Sequence, residues 1–404
     1  MPLLERFLEY VGIDTQSDDS SPSSPSTSKQ LDLSRLLVKQ LKELGLINVR
    51  LDHFGTIYGE LPSNGGPSHP IIGFLAHVDT ALEMPGANVK PRIISNYDGG
   101  SIVLNEQDNI LMDIQNFPHL EQFKGKTLVV TDGKTLLGAD DKAGIAIIMT
   151  LLEKLHNDSS IIHGPIKVAF TPDEEIGRGV ANFDVASFGA DYAYTIDGGP
   201  ISEINYENFN AALAIVTFKG ESIHPGYAKG KMINAQLVAM EFYALLPDKM
   251  QPHLTDKYEG FHHIVSSSGS VEHAEAHYII RNHDAKLLAQ QEANFHKAAS
   301  VINSKYGRPV VSVTIRPGYR NMRPVIEEKP EVLYTALDAY KALGIPVSTT
   351  PIRGGTDGAS LTYKGIPCPN LGTGGYHAHG KYELAIVEEM NTMVAILLHI
   401  VTKK

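Results

Sequence analysis

Apolar runs alternate with helix-period segments through the first half of the chain. Residues 71–76, 127–130, 166–170 and 192–196 are apolar at nearly every position. Unbroken runs of this kind suit strands covered on both faces, as in a parallel sheet. Residues 143–155 are apolar on nearly every side and predict a buried helix. An amphipathic helix is expected over 3–11, and a longer one over 31–44 stopped by Gly45. Between them, residues 17–28 are rich in Ser, Pro and Asp, a composition that predicts a solvated loop. After about Asn208 the pattern changes. Residues 212–218 alternate as a strand, 233–246 read as a helix, and 261–266 and 277–281 as strands. Residues 285–304 then read as a helix and 310–315 as a strand. This β-α-β-β-α-β order is that of a ferredoxin-like module. Helical and strand patterns resume over 330–342, 368–371 and 386–402. The expected architecture is an α/β domain, residues 1–207 and 318–404, interrupted by an α+β domain, residues 208–317.

Composition narrows the function. The 404 residues exceed one ordinary core, so two domains are the default. No run of about 18 apolar residues predicts a membrane span. The N-terminus, with Glu5 and Glu9, lacks the pattern of a secretion signal. Cys368 is the only cysteine, which excludes an internal disulfide and suits a reducing cytoplasm. A net charge of −11 argues against nucleic acid as the partner.

Candidate chemistry gathers where apolar runs end. His77-Val78-Asp79 follows the run 71–76, so it belongs at the carboxyl end of a strand, where open α/β sheets place their ligand sites. Residues two apart on a strand share a face. Asp140-Asp141 opens the buried helix, a place that plain capping also explains. Pro172-Asp173-Glu174-Glu175 follows the run 166–170. Adjacent carboxylates there repel, and a cation beside them relieves the repulsion. Asp197 ends the run 192–196 and precedes Gly198-Gly199. His377 and His379 follow the short strand 368–371, and either has the chemistry of a ligand. The combined set of oxygen and nitrogen donors points to a two-metal hydrolase. Competing motifs fail. His-Glu-x-x-His and Gly-x-Ser-x-Gly are absent, and Gly125-Lys126-Thr127 and Gly133-Lys134-Thr135 have Leu120 and Leu128 where a phosphate loop needs glycine. Cys368, after Pro367 in an apolar strand, reads as a buried structural thiol.

The motifs around His77–Thr80, Thr131–Gly144, Phe170–Glu175 and Arg353-Gly354-Gly355-Thr356-Asp357-Gly358 closely resemble the di-zinc metallopeptidase family of aminoacylases and carboxypeptidases, over essentially the whole chain. Tyr206–Ala211 and Pro369–Tyr376 favour its tripeptide-aminopeptidase branch. The resemblance implies a discontinuous zinc-peptidase catalytic domain with a mostly parallel sheet and an inserted α+β ferredoxin-like lid domain. It implies that His77 and Asp197 bind one zinc, that Glu175 and His379 bind the other, and that Asp140 bridges them. Two Zn²⁺ per subunit are expected, with Co²⁺ or Mn²⁺ as substitutes. Asp79 would fix the tautomer of His77, Glu174 would be the general base, and His377 would be a neighbour of the metals only. The peptide bond between Asp140 and Asp141 is expected to be cis. Leu82-Glu83 departs from the branch, which often has Pro-Asp there. By the same resemblance His224 would stabilise the oxyanion, and Asn234, Arg281 and Arg353 would contact substrate, an arginine fork suiting a terminal carboxylate. Short peptides, mainly tripeptides, are the expected partners, without nucleic acid or membrane, and a homodimer is compatible with the family. A dipeptidase or N-acyl-amino-acid amidohydrolase would share every ligand. A non-catalytic peptide- or metal-binding protein would not need Glu174, and a phosphohydrolase would need a basic cradle that the sequence lacks.

Overall fold

A computed structural model describes residues 1–65 and 69–403. They form two compact units. The first comprises Met1–Tyr206, Pro324–Thr350 and Thr356–Lys404; the second comprises Glu207–Arg323 with Pro351–Gly355.

The first unit is built on a seven-stranded sheet. Its strands lie in the order Ile47–Leu51, Ile57–Leu61, Ile166–Thr171, Ile72–His77, Tyr192–Gly198, Asn370–Gly372 and Ile204–Asn205. The four from Ile166–Thr171 to Asn370–Gly372 run parallel. The others pair antiparallel at the two edges. All six residues of Ile72–His77 are buried, as an unbroken apolar run requires. Its neighbours on either side come later in the chain. The connections therefore leave in opposite directions and open a crevice at the carboxyl ends of these strands.

One run expected in the parallel sheet lies elsewhere. Leu128–Val130 is a strand of a separate four-stranded antiparallel sheet with Gly375–Tyr376, Leu384–Ile386 and Arg92–Ile94. A three-residue buried strand carries no record of its partner, and its apolar character fits either sheet.

The helices follow their apolar stripes. Leu3–Val11 buries Leu3, Phe7, Tyr10 and Val11, and Gln30–Glu43 buries Leu33, Leu37 and Leu41. The long helix Ala139–Asn157 is buried almost throughout. It lies so close to the strand Tyr192–Gly198 that a Cβ on Gly144 would come 1.9 Å from the Ile196 carbonyl oxygen.

The segment 17–28 is a loop, exposed at 19–20, 22–23 and 28 as its composition predicts, but it is tied down at two points. Ser17 and Ser26 are buried. Ser26 donates its backbone N–H to both oxygens of the buried Asp173 carboxylate at 2.8 and 3.0 Å, and Arg178 donates to the Ser21 carbonyl at 2.6 Å. Hydrogen bonds to a buried charge, rather than apolar burial, order this loop.

In the second unit, strands Asn210–Lys219, Phe261–Gly269, His273–Asn282 and Val311–Pro317 form an antiparallel sheet. In space Phe261–Gly269 is followed by His273–Asn282, Asn210–Lys219 and Val311–Pro317. With the helices Ala235–Ala244 and Ala285–Tyr306 this is the ferredoxin-like order. Phe218, Phe242, Tyr278 and Phe295 centre its core.

Candidate metal centre

Four of the five expected ligands stand at, or just beyond, the carboxyl ends of adjacent parallel strands. His77 ends the central strand, Glu175 follows Ile166–Thr171, Asp197 is the penultimate residue of Tyr192–Gly198, and His379 follows Asn370–Gly372. Asp140 comes from the kinked start of Ala139–Asn157, where its own φ/ψ, −84° and 103°, are not helical and the bond to Asp141 is cis.

These side chains converge. One donor atom each from His77, Asp140 and Asp197 lies within 4.8 Å of the others, and the same holds for Asp140, Glu175 and His379. Asp140 belongs to both groups. Its Oδ1 lies 3.0 Å from His77 Nε2, and its Oδ2 lies 3.3 Å from His379 Nε2. Glu175 Oε2 is 2.9 Å from the same His379 nitrogen. His377 joins neither group; its Nε2 sits 2.8 Å from His119 Nε2.

The surrounding residues fix this arrangement. His77 Nδ1 donates to the Asp79 backbone carbonyl at 3.0 Å, with the Asp79 carboxylate 3.4 Å away. Both contacts hold the tautomer that leaves Nε2 as an acceptor. The Asp79 carboxylate is shared by two further donors, the backbone N–H groups of Glu174 at 3.0 Å and Glu175 at 3.2 Å. Asp79 thus aims the glutamate pair as well as the histidine. Asp141 turns inward and accepts from the His77 and Gly144 backbone N–H groups. Glu83, in the stretch that departs from the family pattern, places Oε1 3.4 Å from His379 Nδ1. Metal ligands of this kind commonly carry such an outer carboxylate. Glu83→Gln is therefore expected to weaken metal retention roughly tenfold, measured by competition with a chelating dye.

Charge is concentrated here. Burial raises Glu174 well above the usual carboxylate range, and Asp197 adds to the effect. Burial likewise pushes Glu175 and Asp197 up to about 7. Against burial, the imidazoles of His379 and His77 draw Asp140 downward. Hydrogen bonds to Asp140 and Glu175 push His379 up to about 11. Carboxylates crowded in this way call for a cation. Glu175 Oε1 is buried with no hydrogen-bond partner, so the donor set fits a metal ion.

One residue that serves the site, Glu383, carried no signal in the sequence. Glu383 is buried and accepts from three backbone N–H groups, those of Leu137 at 2.7 Å, Gly138 at 2.8 Å and Asp140 at 3.0 Å. It clamps the loop that delivers Asp140. Truncation would strand three buried donors at about 1–3 kcal/mol each. Glu383→Ala is expected to cost roughly 3–5 kcal/mol in urea unfolding, and Glu383→Gln, which keeps one acceptor oxygen, visibly less. Asp173 and Asp357 are buried as well; Asp357 accepts from Thr171 Oγ1 at 2.7 Å.

The four residues assigned to substrate all lie in the second unit. His224 is exposed, and its Nδ1 accepts from the Gly226 N–H at 3.1 Å, leaving Nε2 free of that bond. Asn234 caps the helix Ala235–Ala244 by accepting from the Gln236 N–H. Arg281 donates to the Ile280 carbonyl at 3.0 Å and lies over the Tyr319 ring. Arg353 uses both terminal nitrogens on Thr255, Lys257 and Glu259, and lies over the Phe209 and Phe261 rings. Arg353 is thus also a brace of its own unit.

Residues 112–403 match the model of peptidase family M20/M25/M40. A peptidase T of a Geobacillus species is 50% identical over 399 residues, spanning 99% of this chain and 97% of the relative. Among solved structures, aminopeptidase PepT from Bacillus cereus superposes with a TM-score of 0.78 at 23% identity, covering 99% of this chain and 97% of that one. A tripeptidase from Staphylococcus aureus superposes with a TM-score of 0.78 at 22% identity and the same coverage.

Proposed function

The chain belongs to peptidase family M20/M25/M40, and from that premise we propose that its convergent donors form a two-metal centre that removes the N-terminal residue from tripeptides. It is a metal-dependent peptidase of the aminopeptidase type. The observation that carries the mechanism is the sharing of Asp140 between two donor groups, His77 with Asp197 and Glu175 with His379. His77 and Asp197 would hold one cation and Glu175 and His379 the other, with Asp140 available to both. We take both ions to be Zn²⁺, since imidazole and carboxylate donors suit it, with Co²⁺ or Mn²⁺ able to replace it. The lone, buried thiol of Cys368 is compatible with residence in the cytoplasm.

Bound ions would supply Lewis acidity and a water of lowered pKa. The remaining work falls to the chain. Glu174 belongs to neither donor group, and its backbone is fixed by Asp79. It takes the proton of the attacking water as the new C–O bond forms, then passes that proton to the amine nitrogen as the C–N bond breaks.

His224, Asn234, Arg281 and Arg353 are assigned to the substrate on the strength of the family. Arg281→Ala and Arg353→Ala are each expected to raise KM for tripeptides at least about tenfold, the scale of one lost charged hydrogen bond. Arg353→Ala should also lower the melting temperature, because Thr255–Glu259 loses its brace. Unchanged KM in both variants would move the grip on the substrate carboxylate elsewhere. The activity itself is tested with a panel of di-, tri- and tetrapeptides and N-acetyl amino acids. Tripeptides are expected to have the highest kcat/KM, and a preference for N-acetyl amino acids would overturn the assignment.

A further inference from the structure

The turn that carries Glu174 and Glu175 is gripped from outside the metal centre by the Ser/Pro-rich segment 17–28 and by Gln30, the first residue of the helix Gln30–Glu43. We propose that Asp173, anchored by Ser26 and Gln30, is a positioning residue that acts through Glu174 and fixes where the general base points. The proposal rests on the reading of Glu174 as the base and adds to it the part of the chain that holds it.

The turn needs such a hold. Glu174–Ile176 is one turn of 3-10 helix bracketed by two left-handed residues, Asp173 (φ 59°, ψ 26°) and Gly177 (φ 71°, ψ 25°). Glycine takes this conformation freely, whereas a residue with a Cβ needs support to stay there. The Gly177 N–H donates to the Glu174 carbonyl at 2.7 Å, and the Arg178 N–H to the Asp173 carbonyl at 2.9 Å. None of the three residues of the turn is fully buried, so apolar packing does not fix its direction.

The Asp173 side chain supplies the support. It is buried. The Ser26 hydroxyl and Gln30 Nε2 both donate to its Oδ1, the latter at 2.7 Å, beside the Ser26 N–H that spans both oxygens. The Asp173 N–H in turn donates to Gln30 Oε1 at 3.3 Å. Gln30 therefore binds both the backbone and the carboxylate of Asp173, which leaves the residue one orientation. Ser26 is held in its own place, since its Oγ accepts from the Asp18 N–H at 2.9 Å and from Gln30 Nε2 at 3.2 Å.

The same stretch of chain also holds the turn that follows Asp79. The Ser17 N–H donates to the Thr80 carbonyl at 3.2 Å, and Gln16 Nε2 donates to the Ala81 and Met84 carbonyls at 2.9 and 2.8 Å. Asp79 is the residue whose carboxylate accepts from the Glu174 and Glu175 N–H groups. Residues 16–30 thus brace both turns that set Glu174, one through Gln16 and Ser17 and the other through Ser26 and Gln30. A base held on two sides keeps its distance from the reacting atoms, and that distance governs the rate of proton transfer.

The test is a double-mutant cycle on the metal-loaded protein, with Asp173→Gly and Glu174→Ala. Glycine permits the left-handed turn and removes only the anchor. Asp173→Gly is expected to lower kcat for tripeptides by roughly tenfold to a hundredfold, the scale of a misplacement of about 1 Å, with KM and metal content unchanged. In the Glu174→Ala background the same change should lower kcat no further, because the group it positions is gone. Asp173→Asn keeps one acceptor oxygen and should recover most of the loss. Gln30→Met leaves Asp173 in place and should reproduce part of the loss; it replaces Asp173→Gly in the cycle if the glycine variant does not fold. Unchanged kcat, or an equal fall in both backgrounds, would overturn the proposal, as would loss of metal together with turnover, which would put the effect on Glu175. Normal turnover in Glu174→Ala alone would instead sink the base assignment, and with it any role for Asp173 through that group.

Discussion

Glu174→Ala is expected to lower kcat by about 10²- to 10⁴-fold, the usual contribution of a positioned general base, while the protein keeps its full metal content. The two halves of that expectation come from different observations. Glu174 shares the crowded carboxylate field of the site, but neither donor group includes it. Its backbone N–H is bound to Asp79 whatever the side chain does, so truncation leaves the neighbouring Glu175 aimed as before. Metal per chain, measured by mass spectrometry beside kcat, separates the possible results. Normal turnover would remove Glu174 from the mechanism. Loss of metal along with turnover would make it a ligand.

Stripping the protein with a chelator is expected to abolish hydrolysis, and adding Zn²⁺ to restore it. The same treatment should lower stability. A ligand present at 100 times its Kd stabilises the folded state by about 2.7 kcal/mol, so two such sites are worth roughly 5 kcal/mol. For a chain of 404 residues that corresponds to a melting temperature lower by about 6 °C. The physical source is the cluster itself: without cations, Asp140, Glu174, Glu175 and Asp197 repel one another in a poorly hydrated pocket. Glu174→Gln should still show a melting shift on metal removal, smaller because one of the repelling carboxylates is gone, although it is inactive, which keeps the structural role of the ions apart from the chemical one. A protein equally active and equally stable after its metal is gone would refute the two-metal centre.

What the sequence revealed and what it hid have separate physical causes. Long apolar runs determine burial on both faces, and Ile72–His77, Ile166–Thr171 and Tyr192–Gly198 lie where such runs belong. The edge strand Ile47–Leu51 and its antiparallel neighbour Ile57–Leu61 carry a weaker signal. The first is only partly covered, so its pattern is mixed. Leu128–Val130 was legible as a strand but not as a member of its sheet, because pairing depends on residues far away in the chain. The donors stood out because acidic and histidine side chains directly after buried strands are costly to bury unless a cation or hydrogen bonds compensate them. Glu383 had no such context. It is a single glutamate in a loop, and only the fold brings Leu137, Gly138 and Asp140 to it. For residues 17–28 composition gave the loop but not its anchor: it measures the apolar surface a segment can bury, whereas Ser26 is held by hydrogen bonds to the Asp173 carboxylate.

The clamp at Glu383 also has a consequence for biosynthesis. The side chains that shape the centre enter the nascent polypeptide in the order His77, Asp140, Glu175, Asp197, His379, and the residue that seats the Asp140 loop comes after them all. The Asp140 loop therefore has no seat until Glu383 has been synthesised. A chain that ends before Glu383 lacks the seat for the Asp140 loop.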